Sequence, residues 1–181
     1  MSRNQSLFLA AAALSLALTG CSTAPRSAEG KADIRKDADF ALVQAKASNP
    51  GMTKICRDAY GCAVFPEVGK GAVGVGGAYG KGVLYQDGRM VGYCDVSQAS
   101  IGLALGAQTY TEIICFEDKK SFDRFKTGNF TFDAQASAVV LEAGAGENAP
   151  YADGVSVFTT DESGLMLEAA IGGQKFSYQA L

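Results

Sequence analysis

The chain has 181 residues, with 16 Lys and Arg against 19 Asp and Glu, a formal net charge of −3, and it contains no histidine. An acidic balance argues against a nucleic-acid-binding protein, which usually carries a basic surface. The lack of histidine removes the commonest general base and the commonest metal ligand. The length suits one compact domain.

The N-terminus has the pattern of a secretory signal. Arg3 supplies a positive charge before an apolar run at residues 7–18 that only Ser15 interrupts. That run is shorter than the roughly 20 apolar residues that span a bilayer. The sequence LTGC at residues 18–21 resembles the lipobox of bacterial lipoproteins, whose cysteine thiol receives the lipid. The alternative is a plain secretory signal with an incidental cysteine.

The lipobox resemblance implies a signal peptide at residues 1–20, lipidation of Cys21 and a flexible tether at residues 21–31. Ser22 at the next position, instead of Asp, implies sorting to the outer membrane, with the domain facing the periplasm or the cell surface. Several acyl chains hold a protein far more firmly than one. Lipid binding by the folded domain would therefore serve a purpose beyond attachment.

Four further cysteines follow the anchor: Cys56, Cys62, Cys94 and Cys115. An even number in an exported domain suggests two disulfides, with three possible connectivities. The spacing along the chain favours Cys56–Cys62 as a local bridge. Cys94 and Cys115 lie in strand-like segments that could be neighbours, which favours a bridge between strands. Buried free thiols are the alternative. No metal site is predicted, because no pair has the close C-x-x-C spacing of a zinc site.

The pattern of apolar residues predicts helices early in the chain and strands afterwards. Helical spacing covers residues 33–47 and 52–60, with a stop at Asn49-Pro50-Gly51, and a third short helix covers residues 119–126. Strand-like segments cover residues 63–65, 72–79, 82–86, 89–96, 100–107, 110–117, 130–141, 155–160 and 165–178. Turns are expected at Asp87-Gly88 and at residues 162–164. These features predict a single α+β domain with a mainly antiparallel sheet that could close like a barrel.

Two of the predicted strands alternate large and very small residues. Val73 and Val75 alternate with glycines, and Ile101, Leu103 and Leu105 alternate with Gly or Ala. Successive residues of a strand point to opposite faces, so each strand has one bulky face and one nearly smooth face. Glycine inside a strand indicates the close approach of a backbone or a ligand. A helix or another part of the sheet could pack on the smooth face, or the face could be a floor for an acyl chain.

The motifs of common enzyme classes are absent from the sequence. The glycine-rich segment at residues 69–82 fails both the dinucleotide and the phosphate-loop patterns, because Tyr79 and Gly82 stand where those motifs need other residues. No histidine-based triad can be built. The acidic pairs at residues 117–118 and 161–162 adjoin turns and are typical of solvated surface charge. We expect neither catalysis nor a cofactor.

The segment AVFPEVGKGAVGVGGAYGKGVL, residues 63–84, resembles the SYLF-domain family of lipid-binding proteins. SIGLALGAQ at residues 100–108, IICF at residues 113–116 and the phenylalanine-containing helix at residues 119–126 support the resemblance. Together these features indicate a SYLF-like domain over residues 32–181. The resemblance implies non-catalytic binding of phosphoinositides or other anionic lipids.

Basic residues would contact the lipid headgroups. The resemblance places Arg35 and Lys36 on the first helix and Lys70 and Lys81 in the glycine-rich segment, and Lys54 and Arg57 on the second helix are added on their charge. Each Lys or Arg near an anionic surface contributes about 1 kcal/mol. The expected partners are the membrane and its anionic phospholipids. The alternative function is a structural or assembly lipoprotein that docks another envelope protein.

Overall fold

A computed structural model of the chain describes residues 22–128, 131–132, 138–140, 151 and 153–181. In that part of the chain, the helices are α1 (Ala28–Ser48), α2 (Pro50–Asp58) and α3 (Lys119–Lys126). The strands are β1 (Gly61–Gln86), β2 (Arg89–Phe116), β3 (Thr131–Phe132), β4 (Ala138–Val140) and β5 (Val155–Ala180). Most of the predicted strand at residues 130–141 lies outside the described residues.

The strands form one sheet in the order β1-β2-β5-β3, with β4 paired to β5. All described pairings are antiparallel except the β4–β5 pairing, which is parallel. The predicted α+β class with early helices is confirmed. Within the described residues the sheet does not close into a barrel, because β1 and β3 lie at opposite ends of the strand order.

The helix boundaries follow from side chains that cap the helix ends. The amide of Gly30 donates to Ser27 Oγ at 3.0 Å, so α1 begins at Ala28, five residues before the predicted start. Asn49 alone separates the first two helices, because its Oδ1 accepts from the amide of Met52 at 3.2 Å. Pro50 opens α2, where its missing N–H costs nothing.

The three long strands run through positions at which breaks were predicted. Pro66 lies in a β-bulge of β1, between the pairs Phe65–Glu112 and Val68–Tyr110, and its carbonyl accepts from Thr111 Oγ1 at 2.8 Å. The predicted turn at residues 162–164 is wrong. The register of the β2–β5 pairing shifts between Thr160 and Ser163, and β5 stays paired to β2 on both sides of this irregularity. Bulges bend a strand without ending its pairing.

The hairpin prediction at Asp87-Gly88 is confirmed. Both residues have positive φ, 49° and 70°, as a tight turn between antiparallel strands requires. The turn joins the ends of β1 and β2, which pair along nearly their whole length.

The sheet is folded over on itself about the middle of its long strands. A Cβ built on Gly80 would lie 2.8 Å from Val68 Cγ2, and one on Gly82 would lie 2.4 Å from the Val64 carbonyl oxygen. These partners are 12 and 18 residues apart in one strand, which would separate them by roughly 40 and 60 Å if the strand were straight. The first and second halves of β1 therefore face each other, and the bend lies near Val73, where the register to β2 shifts.

The apolar core has two parts. The inner core lies between the halves of the folded sheet and under α3, and it includes Phe65, Phe116, Phe125 and Phe176. The Phe116 and Phe125 ring centroids are 5.0 Å apart. The outer core lies between the sheet and the first two helices. Its members include Ala38, Ala41, Ala45, Met52, Ile55, Val64, Val83, Ile113 and Phe158. Both cores lie near the strand ends away from the bend, a region that we call the base.

Candidate functional site

Four large apolar side chains project into solvent where the sheet bends. Val73, Val75, Ile101 and Leu105 are 80%, 69%, 75% and 64% exposed. Val73 pairs with Leu105 and Val75 with Ile101 across β1 and β2, so the four form one surface, which we call the crest. Exposed apolar patches on a folded domain mark sites that contact a membrane or another molecule.

The smooth face of these strands points inward. A Cβ on Gly76 would lie 2.7 Å from both Ala72 Cβ and Ser100 Oγ, and Gly80 is buried against Val68. The expectation that another part of the sheet packs on this face is therefore confirmed at these glycines. An open floor for an acyl chain is wrong there, because the sheet itself fills the space.

The predicted basic residues on the helices are exposed. Arg35 and Lys36 lie on α1, and Lys54 and Arg57 lie on α2. Arg35 Nε is 4.0 Å from the Asp39 carboxylate, an exposed pair that contributes little to stability. The Arg57 guanidinium donates to the neighbouring Asp58 carboxylate at 2.9 Å, which lowers the pKa of Asp58.

Of the two predicted lysines on β1, Lys70 lies three residues before the crest and is partly buried. Lys81 Nζ donates to the carbonyl of Ser22 at 2.6 Å and to that of Thr23 at 3.4 Å. Lys81 therefore holds the segment that follows Cys21, a role that the sequence did not indicate.

The segment after Cys21 packs on the sheet. Ala24 is buried, and its amide donates to Gln179 Oε1 at 3.2 Å. The predicted flexible tether is therefore wrong over its described residues, because residues 22–24 are bound to β1 and β5 and α1 begins at Ala28.

A cleft of about 610 Å³ opens between α1 and the bulge at Pro66. Phe40 and Ile34 of α1 provide apolar lining, while Lys81 and Glu67 of β1 provide charge. No sequence pattern indicates this cleft, because it depends on a bulge that leaves the strand pairing intact.

The cysteines do not pair as predicted. The described cysteines Cys56, Cys62, Cys94 and Cys115 are all free thiols. A Cys94–Cys115 bridge is wrong, because Cys94 lies in the inner core and Cys115 in the outer core, on opposite faces of the sheet.

Cys56 and Cys62 are not bridged either, although they do come together. Cys115 lies beside both of them, 3.0 Å from Cys62 and 3.5 Å from Cys56 between Sγ atoms. Spacing along the chain does not reveal this cluster, because a helix and two strands assemble it.

One carboxyl group is buried inside the folded sheet. Glu112 of β2 is 1% exposed, and its Oε2 accepts from Gln174 Nε2 at 3.0 Å. Burial raises the pKa of Glu112 to about 7, and the hydrogen bond from Gln174 opposes that rise. Glu112 Oε1 and Gln174 Oε1 are buried without a hydrogen-bond partner. A protonated carboxyl suits this environment better than a charged one.

Helices that could cross a membrane are not found among the described residues: none of them is sufficiently long and apolar. No family's sequence profile matches the chain. The chain is 30% identical over 156 residues to a curated relative, beta cell expansion factor A of Aeromonas veronii. The alignment covers 84% of this chain and 59% of the relative, so the chain spans less than two thirds of that protein.

The fold and this homology establish the structural class of the chain and one homologue. It is a single α+β domain with an open, mainly antiparallel sheet and a homologue of beta cell expansion factor A. The aligned length is large enough to include most of the helices and strands described above.

Proposed function

We propose that this chain is an envelope lipoprotein whose SYLF-type domain binds anionic membrane lipids without catalysing a reaction. Acylated Cys21 anchors it in the outer membrane, and the domain contacts lipid at a second site. The glycine-rich segment at residues 63–84, which resembles the SYLF family, supports the family assignment. The homology to beta cell expansion factor A is consistent with it.

The observation that carries the proposal is the crest. Burying a Val, Leu or Ile side chain that was exposed stabilises a complex by roughly 1.5–3 kcal/mol. Four such side chains on one surface can provide useful affinity for the apolar part of a bilayer even after the cost of immobilising the domain. Lys70 lies three residues before the crest on β1, and a positive charge near an anionic surface contributes about 1 kcal/mol of electrostatic attraction to the headgroups.

Vesicle flotation tests the proposal with the chain from Ser22 to Leu181, which contains every described helix and strand. We expect the protein to float with vesicles of phosphatidylcholine and phosphatidylglycerol, and more weakly with phosphatidylcholine alone. The double variant V73S/I101S should lose most of the binding, since serine at exposed positions removes apolar area without disturbing the core. L181S, at the exposed C-terminus, is the matched control.

Further arms of the same experiment separate the contributing surfaces. F40S/V43S removes the exposed apolar residues of α1 and should reduce flotation less than the crest variant. Salt should weaken binding to the anionic vesicles, because it screens exposed charges. Equal flotation of wild type and V73S/I101S, or equal flotation with both vesicle types at every salt concentration, would contradict the proposal.

The anchor requires its own test in cells. Cys21→Ser should move the protein from the membrane fraction to the soluble fraction and abolish incorporation of labelled palmitate. Cys94→Ser is the control that keeps Cys21 and changes a buried cysteine. Palmitate labelling that persists in Cys21→Ser would place the lipid elsewhere.

A docking role in envelope assembly is the second candidate, because a protein partner could cover the same crest. A photo-crosslinking amino acid at Val75 in cells distinguishes the two candidates. One protein adduct at stoichiometric yield, together with failure to float with vesicles, would favour docking.

A further inference from the structure

Three thiols converge at one point beneath the first two helices. Cys62 of β1 and Cys115 of β2 are direct cross-strand neighbours, and Cys56 reaches them from the last turn of α2. The three Sγ atoms all lie within 4.8 Å of one another. Cys62 and Cys115 are buried, whereas Cys56 is partly exposed, so the cluster has a closed side and an open side.

The exposure of the three thiols gives the cluster one accessible side. An incoming cation would reach Cys56 first, because Cys56 is partly exposed whereas Cys62 and Cys115 are buried behind it.

We propose that Cys56, Cys62 and Cys115 form a binding site for one thiophilic cation, Cu(I) or Zn²⁺. Thiolate sulfur is the ligand type that selects these ions. Three sulfurs complete a trigonal site for Cu(I), whereas Zn²⁺ needs a fourth ligand, which water can supply on the open side beside Cys56. This inference is independent of the proposed lipid binding.

The geometry needs only a small adjustment to receive an ion. Metal–sulfur bonds of about 2.3 Å place neighbouring sulfurs roughly 4 Å apart. The observed Sγ separations of 3.0 and 3.5 Å from Cys115 must therefore widen slightly. Since Cys56 is partly exposed and close to the end of α2, its side chain can supply that movement. The cation replaces the thiol protons, and these protons pass to solvent.

The experiment is metal titration of the reduced chain from Ser22 to Leu181 under anaerobic conditions. Cu(I), supplied as its acetonitrile complex, is titrated in competition with a chromophoric Cu(I) chelator, and Zn²⁺ in competition with a zinc dye. We expect one equivalent of metal to bind. Cys56→Ser and Cys115→Ser should each weaken binding about tenfold or more, and Cys94→Ala, which lies in the inner core, should leave it unchanged.

Alkylation of the wild-type protein gives a second test that does not depend on the folding of a variant. Bound metal should slow alkylation of Cys56, Cys62 and Cys115 in the wild-type protein but not that of Cys94, as mapped by mass spectrometry. Circular dichroism must show that Cys56→Ser is folded, which its partly exposed position makes the expected result.

Three results would overturn the proposal. The first is metal binding that is equal in Cys56→Ser and wild type. The second is protection from alkylation that does not depend on metal. The third is a Cys62–Cys115 disulfide in the protein as it is purified from cells without reductant, since the cluster would then be a structural bridge.

Discussion

The crest and the base of the folded sheet use the same strands in opposite ways. At the base, large apolar side chains such as Phe116 and Ile113 are fully buried, with helices packed over both faces. At the crest, the inner face holds small residues such as Ala72 and Gly76, and the large side chains point outward. The position of the bend determines which apolar residues stabilise the fold and which remain available for contact.

This difference indicates that the base stabilises the fold and that the crest is available for binding. Mutations at the base should change stability, whereas mutations at the crest should change binding and leave stability nearly unchanged. Val73 is exposed and Phe125 is buried, so a change at Val73 should affect binding and a change at Phe125 should affect the free energy of unfolding. Equal effects of both changes on both quantities would contradict this separation.

The largest expected effect is the loss of a base aromatic residue. Phe125→Ala should lower the free energy of unfolding by about 3–5 kcal/mol, because it leaves a cavity among Phe116, Phe122 and Phe176. The crest variant Val75→Ala should stay within about 0.5 kcal/mol of wild type. Urea denaturation of both proteins measures the contrast, and similar losses in the two variants would break the comparison.

Burial of a carboxyl inside the folded sheet should make stability depend on pH. The pKa of Glu112 rises from 4.5 to about 7 on folding, so its contribution to stability is greatest below pH 4.5 and falls as the pH rises to 7. Glu112→Gln removes this loss, and at pH 8 it should stabilise the protein by up to about 3 kcal/mol. At pH 5 the gain should be much smaller.

Denaturation curves at the two pH values check the Glu112 prediction. Glu67→Gln, which changes an exposed glutamate on β1, is the control. A gain from Glu112→Gln that is the same at pH 5 and pH 8 would show that the carboxyl does not change its protonation state in this interval.

Contact between the two halves of β1 can be tested at a glycine. Gly82→Ala should destabilise the protein by about 1–3 kcal/mol, because the added methyl group would lie 2.4 Å from the Val64 carbonyl oxygen. Gly69→Ala is a matched change in the same strand, where the nearest atom, the Tyr79 carbonyl oxygen, is 4.0 Å away, and it should have little effect. Thermal unfolding of Gly82→Ala and Gly69→Ala measures the difference. Equal midpoint temperatures would mean that the two halves of β1 are not in contact at Gly82.

The smallest effect concerns the helix that brings Cys56 to the base. Asn49→Ala removes the acceptor for the amide of Met52 and should cost about 1 kcal/mol. The neighbouring Ser48→Ala removes an exposed hydroxyl that donates within α1, and it should cost less. Thermal unfolding of the two variants ranks them, and the reverse order would mean that Asn49 does not cap α2.

The local features of the fold were predictable from the sequence. The Asp87-Gly88 turn was found because its residues tolerate positive φ, and α3 was found with both its ends because the pattern there is strong and short. The continuity of β1 through Pro66 was not predictable, since the bulge that accommodates the proline depends on Thr111 of another strand. The same holds for β5, whose irregularity is defined by its pairing to β2.

The candidate sites were less predictable than the fold. Alternation showed that Val73 and Val75 share a face, but which face meets solvent depends on the bend, which brings together residues far apart in the chain. The thiol cluster was missed for a similar reason, because Cys56, Cys62 and Cys115 come from three elements. Charge alone could not show that Lys81 holds the N-terminal segment.

The contact of Lys81 with the Ser22 carbonyl has a consequence for geometry at the membrane. In the proposed lipoprotein the acylated cysteine precedes Ser22. A linker of one residue, about 4 Å long, therefore joins the bilayer to the side of the sheet. Val75 lies six residues from Lys81 along β1, a distance of roughly 20 Å. A linker this short keeps the crest close to the leaflet that holds the anchor, so the effective concentration of lipid at the crest is high.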